Sequence, residues 1–342
     1  MNSKLVSIDL AKNVFQICIY SKSGKILSNK KIKRHALRQA IAQIEPTQIA
    51  METCYSAHYW GRVFQTMGHE VNLIPAQHVK PFVRGNKNDH NDAVAIAEAS
   101  LRPHIRFVPV KTILQQDIQM RHRIRQRHVS ERTALVNQIR GLLSEYGIVV
   151  SQGWRKLRQQ LPLILEDAEN ELSPIGRQSI AQLYDELNII NQWIEDDNRR
   201  VAQLLEDHDD YQRLLAAPGF GPVLSSAAIA SIGNGAQFSS GRQMAAWLGL
   251  TPRGESSGDR STLKGISKRG NRYLRTLFIH GARAIVNWCQ NKTDPLNQWI
   301  QQLIARRGRH KAIVAVAHKM ARFAWVMLNR KEDYRAPKAI AD

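Results

Sequence analysis

The sequence predicts a chain in three parts: a mixed α/β domain over residues 1–110, a long-helix arm over 111–210 and a mostly α-helical domain over 211–335. Three observations predict it. The first hundred residues alternate short β-rich runs with segments of helical spacing. Two long stretches follow, the first with apolar residues spread through Arg, His and Gln and the second with apolar residues at mostly three- and four-residue steps, and the remainder carries helical segments punctuated by Gly and Pro. A chain of 342 residues with 43% hydrophobic content is large enough for two or three domains of roughly 100–200 residues, each with its own core.

In the first part, Leu5 to Leu10 and Val14 to Tyr20 are β-rich runs split by Ala11-Lys12-Asn13, and Lys25 to Lys33 completes a hairpin meander. Arg34 to Ile44 has helical spacing, Gln48 to Met51 is a short strand, Ala57 to Met67 a helix and Glu70 to Ile74 a strand stopped by Pro75. In the arm, Asp117 to Tyr146 predicts a long basic amphipathic helix. After Gly147 and breaks at Pro162 and Pro174, Gly176 to Glu206 predicts a second. Such a pair suits a coiled coil or antiparallel hairpin used for self-association, and equally a helical insert that caps a core. Beyond it, helices are predicted over Leu214 to Ile232, Gly241 to Leu248, Asn271 to Gln290 and Lys311 to Asn329, with Thr251 to Gly270 a polar loop.

Charge narrows the function. Lys and Arg number 49 against 29 Asp and Glu, a formal charge of +20 and a pI near 10.2, which argues against an ordinary metabolic enzyme and for a polyanionic partner. The charge is uneven: +9 over residues 101–160, −10 over 161–210 and +13 over 251–342. No stretch reaches about 18 apolar residues, so no membrane partner is expected. The N-terminus interrupts any signal-like core with Asp9 and Lys12, which predicts a cytoplasmic protein. Three cysteines without ligand spacing predict neither disulfides nor structural zinc.

Four carboxylates stand out. Asp9 ends the strand Leu5-Val6-Ser7-Ile8-Asp9, and Glu52 closes Ile49-Ala50-Met51-Glu52. Asp89 and Asp92 are three apart at the start of a predicted helix and share a face. Singly, each reads as a turn or helix cap. Together, hard oxygen donors at strand ends of one sheet suit Mg²⁺ or Mn²⁺, and such ions in a basic protein suit cleavage of a phosphodiester.

In the second half, Pro218-Gly219-Phe220-Gly221-Pro222 reads either as the hairpin of a helix-hairpin-helix, with Gly219 and Gly221 letting a phosphate approach, or as a plain helix turn. Ser256-Ser257-Gly258 could present a nucleophilic hydroxyl or be flexible surface. Lys264, Lys268, Arg269, Arg272 and Arg275 suit phosphate oxygens or form a solvated face. Trp247, Trp288, Trp299 and Trp325 read as core anchors.

The ordered set Ile8-Asp9-Leu10-Ala11-Lys12, Met51-Glu52-Thr53-Cys54, Lys87 to Ala93, Pro218 to Pro222, Ala246 to Pro252, Ser256-Ser257-Gly258 and Gly265 to Gly270 resembles the IS110-family transposases over nearly the whole chain, the IS1111 subgroup most closely. The resemblance implies an α/β RuvC-like (RNase H-like) N-terminal domain with a DEDD tetrad at Asp9, Glu52, Asp89 and Asp92, a coiled-coil arm and a C-terminal transposase domain with Ser257 as nucleophile. It further implies Mg²⁺ as cofactor, donor and target double-stranded DNA as substrates, an element-encoded guide (bridge) RNA, a transient serine–DNA link and a homo-oligomer with composite sites. Gly258-Asp259-Arg260 departs from the Gly-Gly-Lys of many relatives, placing a negative charge beside the serine. Two other readings compete: a metal-dependent structure-specific endonuclease of the junction-resolvase type acting through water, and an architectural nucleic-acid-binding protein.

Overall fold

The computed structural model describes residues 3–21, 23–85, 88–257 and 260–336, and the chain divides into two compact units, Met1–Ile113 and Leu114–Asp342.

The first unit contains β1 (Ser3–Asp9), β2 (Val14–Ser21), β3 (Ile26–Lys33), α1 (Arg34–Ala42), β4 (Gln48–Glu52), α2 (Ala57–Thr66), β5 (Glu70–Ile74), the short α3 (Ala76–Val79) and α4 (Asp89–Ser100). The strand order is β3-β2-β1-β4-β5, with β2 antiparallel to β1 and β3, and β4 parallel to β1 and β5. β1 is apolar on both faces because it is central: Leu5, Val6, Ser7 and Ile8 are all buried. β3 lies at the edge, where Lys30, Lys31 and Lys33 discourage pairing with another strand. The two-residue period sorts the side chains between two layers. Val6, Ile8, Phe15 and Ile17 pack with Leu37 and Ile41 of α1 and Trp60 and Phe64 of α2, whereas Leu5, Cys18, Tyr20 and Ala50 pack with Ala93, Ile96 and Ala97 of α4.

The second unit begins with α5 (Ile113–Ser144), α6 (Trp154–Glu166) and α7 (Pro174–Gln203). Leu135, Ile139 and Leu143 of α5, Leu157 and Leu161 of α6, and Leu187, Ile190 and Ile194 of α7 form one apolar core. Pro162 was expected to break the chain, yet it lies inside α6. Burial of Leu157 and Leu161 against the arm outweighs the one backbone bond that proline cannot make.

There follow α8 (Asp209–Leu215), α9 (Pro222–Ile232), α10 (Gly241–Trp247), a hairpin of β6 (Pro252–Ser257) and β7 (Arg260–Ile266), then α11 (Arg272–Asn287), α12 (Pro295–Arg307) and α13 (Arg309–Asn329). A second core gathers around α9, with Leu214, Phe220, Leu224, Phe278, Ala282, Val316 and Met320 among its members. Three expectations change here. The segment Thr251 to Gly270, expected to be a loop, is the β6–β7 hairpin, paired from Pro252↔Ile266 to Ser257↔Arg260. α12 was not expected; Asp294 caps it by accepting from Asn297 N–H (3.2 Å), with Pro295 at its first position. Trp325 is buried as expected and donates to the Gly235 and Phe238 carbonyls, but Trp288 is 73% exposed and anchors no core.

Candidate active site

Asp9 and Glu52 end adjacent parallel strands, and the register Ser7↔Ala50, Ile8↔Met51 brings their backbones to one level. Alternation places Asp9 on the face of Leu5 and Ser7, and Glu52 on the face of Ala50, which is the face covered by α4. The Ser7 hydroxyl, fully buried, donates to the Ala93 carbonyl (2.7 Å), so α4 is tied just after its first turn to β1, two residues before Asp9. Asn29 of β3 donates from Nδ2 to the His90 carbonyl (3.3 Å) and accepts at Oδ1 from Gln16 Nε2 (2.5 Å), holding the start of α4 from the other side. Asp9, Glu52 and Asp92 are half-buried. Asp89 is exposed and pairs with Lys31 Nζ at 3.0 Å. The cap of α4 is Asn88, whose side chain accepts from Asn91 N–H (2.8 Å), which frees both aspartates from the capping role.

Among the described residues no three His, Cys, Asp or Glu side chains stand close enough together to hold a metal ion. The donor chemistry nevertheless fits a hard cation: carboxylate oxygens from β1, β4 and α4 at one sheet edge. Gln16, paired with Asp9 across the sheet, buries an Oε1 that has no hydrogen-bond partner among the described residues. Gln16 was not singled out in the sequence. Its signal is the β-pairing partner of Asp9, visible only once the register is known. His58, in the first turn of α2, accepts from Lys111 N–H (3.2 Å), and burial with the charges of Lys111 and Arg62 pulls its imidazole down to about 4.

In the second unit, Ser257 is the last residue of β6; the side chains of Ser256 and Ser257, and residues 258 and 259, lie outside the described residues. The hairpin root is locked by backbone. Gly249 has φ +73 and Gly270 φ +81; a Cβ on Gly249 would meet Arg269 O at 2.2 Å, and one on Gly270 would meet Trp247 O at 1.9 Å. Lys268, itself at φ 56, donates its N–H to Gly249 O (3.1 Å). Arg275 is half-buried and its NH1 donates to Leu248 O (2.9 Å) and Arg269 O (2.8 Å), which makes it a clamp on the root. Lys264, Lys268, Arg269 and Arg272 are exposed at the hairpin and at the start of α11. The Pro218–Pro222 turn joins α8 to α9. Gly219 there has a packing reason, since a Cβ would meet Ile285, Met320 and the Gly281 carbonyl at 2.8–3.0 Å, while Gly221 is exposed at the N-cap of α9 with open space around it.

Residues 6–148 match the DEDD transposase family named for IS110, described as Transposase, and residues 211–298 match the Transposase IS116/IS110/IS902 family. The chain is similar to the transposase for insertion sequence element IS1111A of Coxiella burnetii, 43% identical over 97% of this chain and 91% of that protein. It is also 43% identical to a probable family 20 transposase of Pseudomonas aeruginosa, over 98% and 99% of the two chains. A third relative, the transposase for insertion sequence element IS1328 of Yersinia enterocolitica, is 37% identical over 95% and 97%. A carboxylate-bearing α/β unit followed by a helical unit with a basic hairpin, matched end to end by such relatives, makes this chain a member of the IS110/IS116/IS902 family of insertion-sequence transposases.

Proposed function

We propose that the chain cuts and rejoins donor and target DNA through a covalent link at Ser257, with Asp9, Glu52, Asp89 and Asp92 as its metal-holding tetrad. The observation that carries this reading is the convergence of Asp9, Glu52 and the first turn of α4 on one edge and one face of the sheet. The strand order β3-β2-β1-β4-β5, with β2 antiparallel, supports the RuvC-like assignment. Mg²⁺ or Mn²⁺ held there would supply Lewis-acid polarisation of the scissile phosphate.

The remaining work belongs to side chains. The Ser257 oxygen forms a bond to phosphorus and gives up its proton, while the bond from phosphorus to one deoxyribose oxygen breaks and that oxygen takes up a proton as it leaves. The phosphodiester energy stays in the protein–DNA bond, so rejoining needs no nucleotide triphosphate. Lys264, Lys268, Arg269 and Arg272 neutralise the DNA backbone. Target choice is assigned to an element-encoded guide RNA that pairs with donor and target, and the working form is a homo-oligomer with composite sites. The strongly basic stretch 101–160, 12 basic against 3 acidic residues, supports a nucleic-acid contact on the arm.

The test is to incubate the full chain, its element-derived RNA and supercoiled donor and target DNA with Mg²⁺ and to resolve the products on a denaturing gel. A protein–DNA adduct is expected, lost in both Ser257→Ala and Asp9→Ala. Cleaved DNA without an adduct, insensitive to the serine change, would replace this reading with a water-using nuclease.

A further inference from the structure

A second feature opens at the same sheet edge, on the face covered by α1 and α2. β2 begins at Val14 where β3 ends at Lys33, and α2 begins shortly after Glu52, so the ends of these elements surround a cleft of about 790 Å³. Its charged lining is cationic: Lys33, Arg34 and Arg38, with His35 beside them and no carboxylate among the described residues that line it. Its floor is aromatic. Arg34 lies over the rings of Phe15 (5.7 Å) and Trp60 (5.5 Å), and Tyr59, 51% exposed, meets Trp60 edge-on at 5.1 Å.

Two further observations point to a ligand. Trp60 lines the cleft, is 4% exposed, and its indole Nε1 has no hydrogen-bond partner among the described residues. α1 starts here without a side-chain cap; its first N–H, that of Arg34, donates to the Asn13 carbonyl (2.9 Å), which leaves the N–H groups of His35 and Ala36 outside the helix's own bonds and available to an anion. An exposed tyrosine beside three cations and the uncapped start of α1 matches the chemistry of one unpaired nucleotide: a π-face for the base, and cations for its phosphate. The volume falls within the range of small-molecule sites.

We propose that this cleft is a binding subsite for an unpaired nucleotide of a single strand, the base stacking on Tyr59 and the phosphate held by Lys33, Arg34 and Arg38. A DNA strand opened at the cleavage site and an unpaired RNA segment offer the same chemistry. The subsite does not depend on the role assigned to the carboxylates, so binding is measured in EDTA, where failure of the cleavage mechanism cannot be mistaken for failure of the cleft.

The experiment is fluorescence anisotropy of the full chain with labelled oligo-dT, oligo-U and a blunt DNA duplex of equal length, for wild type, Tyr59→Ala, Tyr59→Phe and Arg38→Gln. Tyr59→Ala should weaken binding of at least one single strand by about tenfold and leave the duplex within twofold, with Tyr59→Phe restoring it. Arg38→Gln should lower the salt slope for that strand by about 0.7. The strand that responds, DNA or RNA, identifies the natural occupant. Equal losses on duplex and single strands, or no loss in Tyr59→Ala, would overturn the proposal. Tyr59 is half-exposed, so a folding failure is not expected; a circular dichroism spectrum matching wild type verifies it.

Discussion

Replacing Gly270 by alanine should displace the serine hairpin at its root. Three contributions follow from the geometry. Alanine at φ +81 costs about 1–2 kcal/mol of left-handed strain. Its Cβ would lie 1.9 Å from the Trp247 carbonyl oxygen, so the root must open by about 1 Å to reach the 3.0 Å below which Cβ contacts are not found. That opening stretches the bond from Lys268 N–H to Gly249 O, worth about 0.5–1.5 kcal/mol. The two energies sum to about 1.5–3.5 kcal/mol. Gly265→Ala is the matched control: nothing lies within 4 Å of its Cβ and its φ is not positive, so a change within about 0.5 kcal/mol is expected. Equilibrium urea unfolding followed by tryptophan fluorescence reports the right unit, because six of the seven tryptophans lie in Leu114–Asp342. With a slope of about 2–3 kcal/mol/M, the Gly270→Ala midpoint should fall by about 1 M. The same variant should lose about a hundredfold in adduct formation, the usual consequence of moving a reacting group by 1 Å. Superimposable unfolding curves for Gly270→Ala and Gly265→Ala would refute the interlock.

Arg275→Gln should destabilise the second unit by about 1.5–3 kcal/mol, since one guanidinium nitrogen serves two backbone carbonyls; Arg272→Gln, at an exposed position, should leave urea stability unchanged but reduce the salt slope of DNA binding by about one. His122 gives the second unit an acid-sensitive step. Ser226 donates to the Pro222 carbonyl (2.6 Å) and therefore accepts from His122 Nε2, leaving Nδ1 to accept from Tyr273; burial pulls the imidazole down to about 4. The unfolded chain takes up this proton near pH 6.5 and the folded chain only near pH 4, so the unfolded state binds more protons in between and stability falls as pH drops through that window, by about 3 kcal/mol in all. Urea titrations from pH 7 to 4 should show that slope, flattened in His122→Gln; an unchanged slope in the variant would locate the effect elsewhere.

Much of the first unit was legible because its signals are local. A continuous apolar run marks the central strand, polar breaks mark the turns, and carboxylates at strand ends are visible without knowing which strands are neighbours. Their convergence needed the register Ser7↔Ala50 and the Ser7 to Ala93 bond, which join residues far apart in sequence. The second unit was harder for identifiable reasons. The β6–β7 hairpin is Gly- and Ser-rich and its described side chains are largely exposed, so it has no apolar alternation to betray a strand. α6 continues through Pro162 because tertiary packing overrides the local penalty. Arg275 has the same spacing as the cations around it; only the positions of Leu248 O and Arg269 O reveal that it serves the backbone.

α5 enters two separate apolar cores, with Ile118 in the C-terminal one and Leu135 to Leu143 in that of the arm. Between them its buried side chains are His122 and His128, the first bonded to Ser226 and Tyr273 and the second to Asp197 at 2.9 Å. The 17 residues from Ile118 to Leu135 span about 26 Å, and each adds about 100° of rotation. The helix is therefore a ruler with an azimuth. Inserting one residue between Ile118 and His122 would turn the arm by about 100° and leave one histidine or the other without its partners. Inserting seven would lengthen the separation by about 10 Å and turn it by only about 20°. The reach of the arm can thus change in steps of two helical turns while its faces keep their direction.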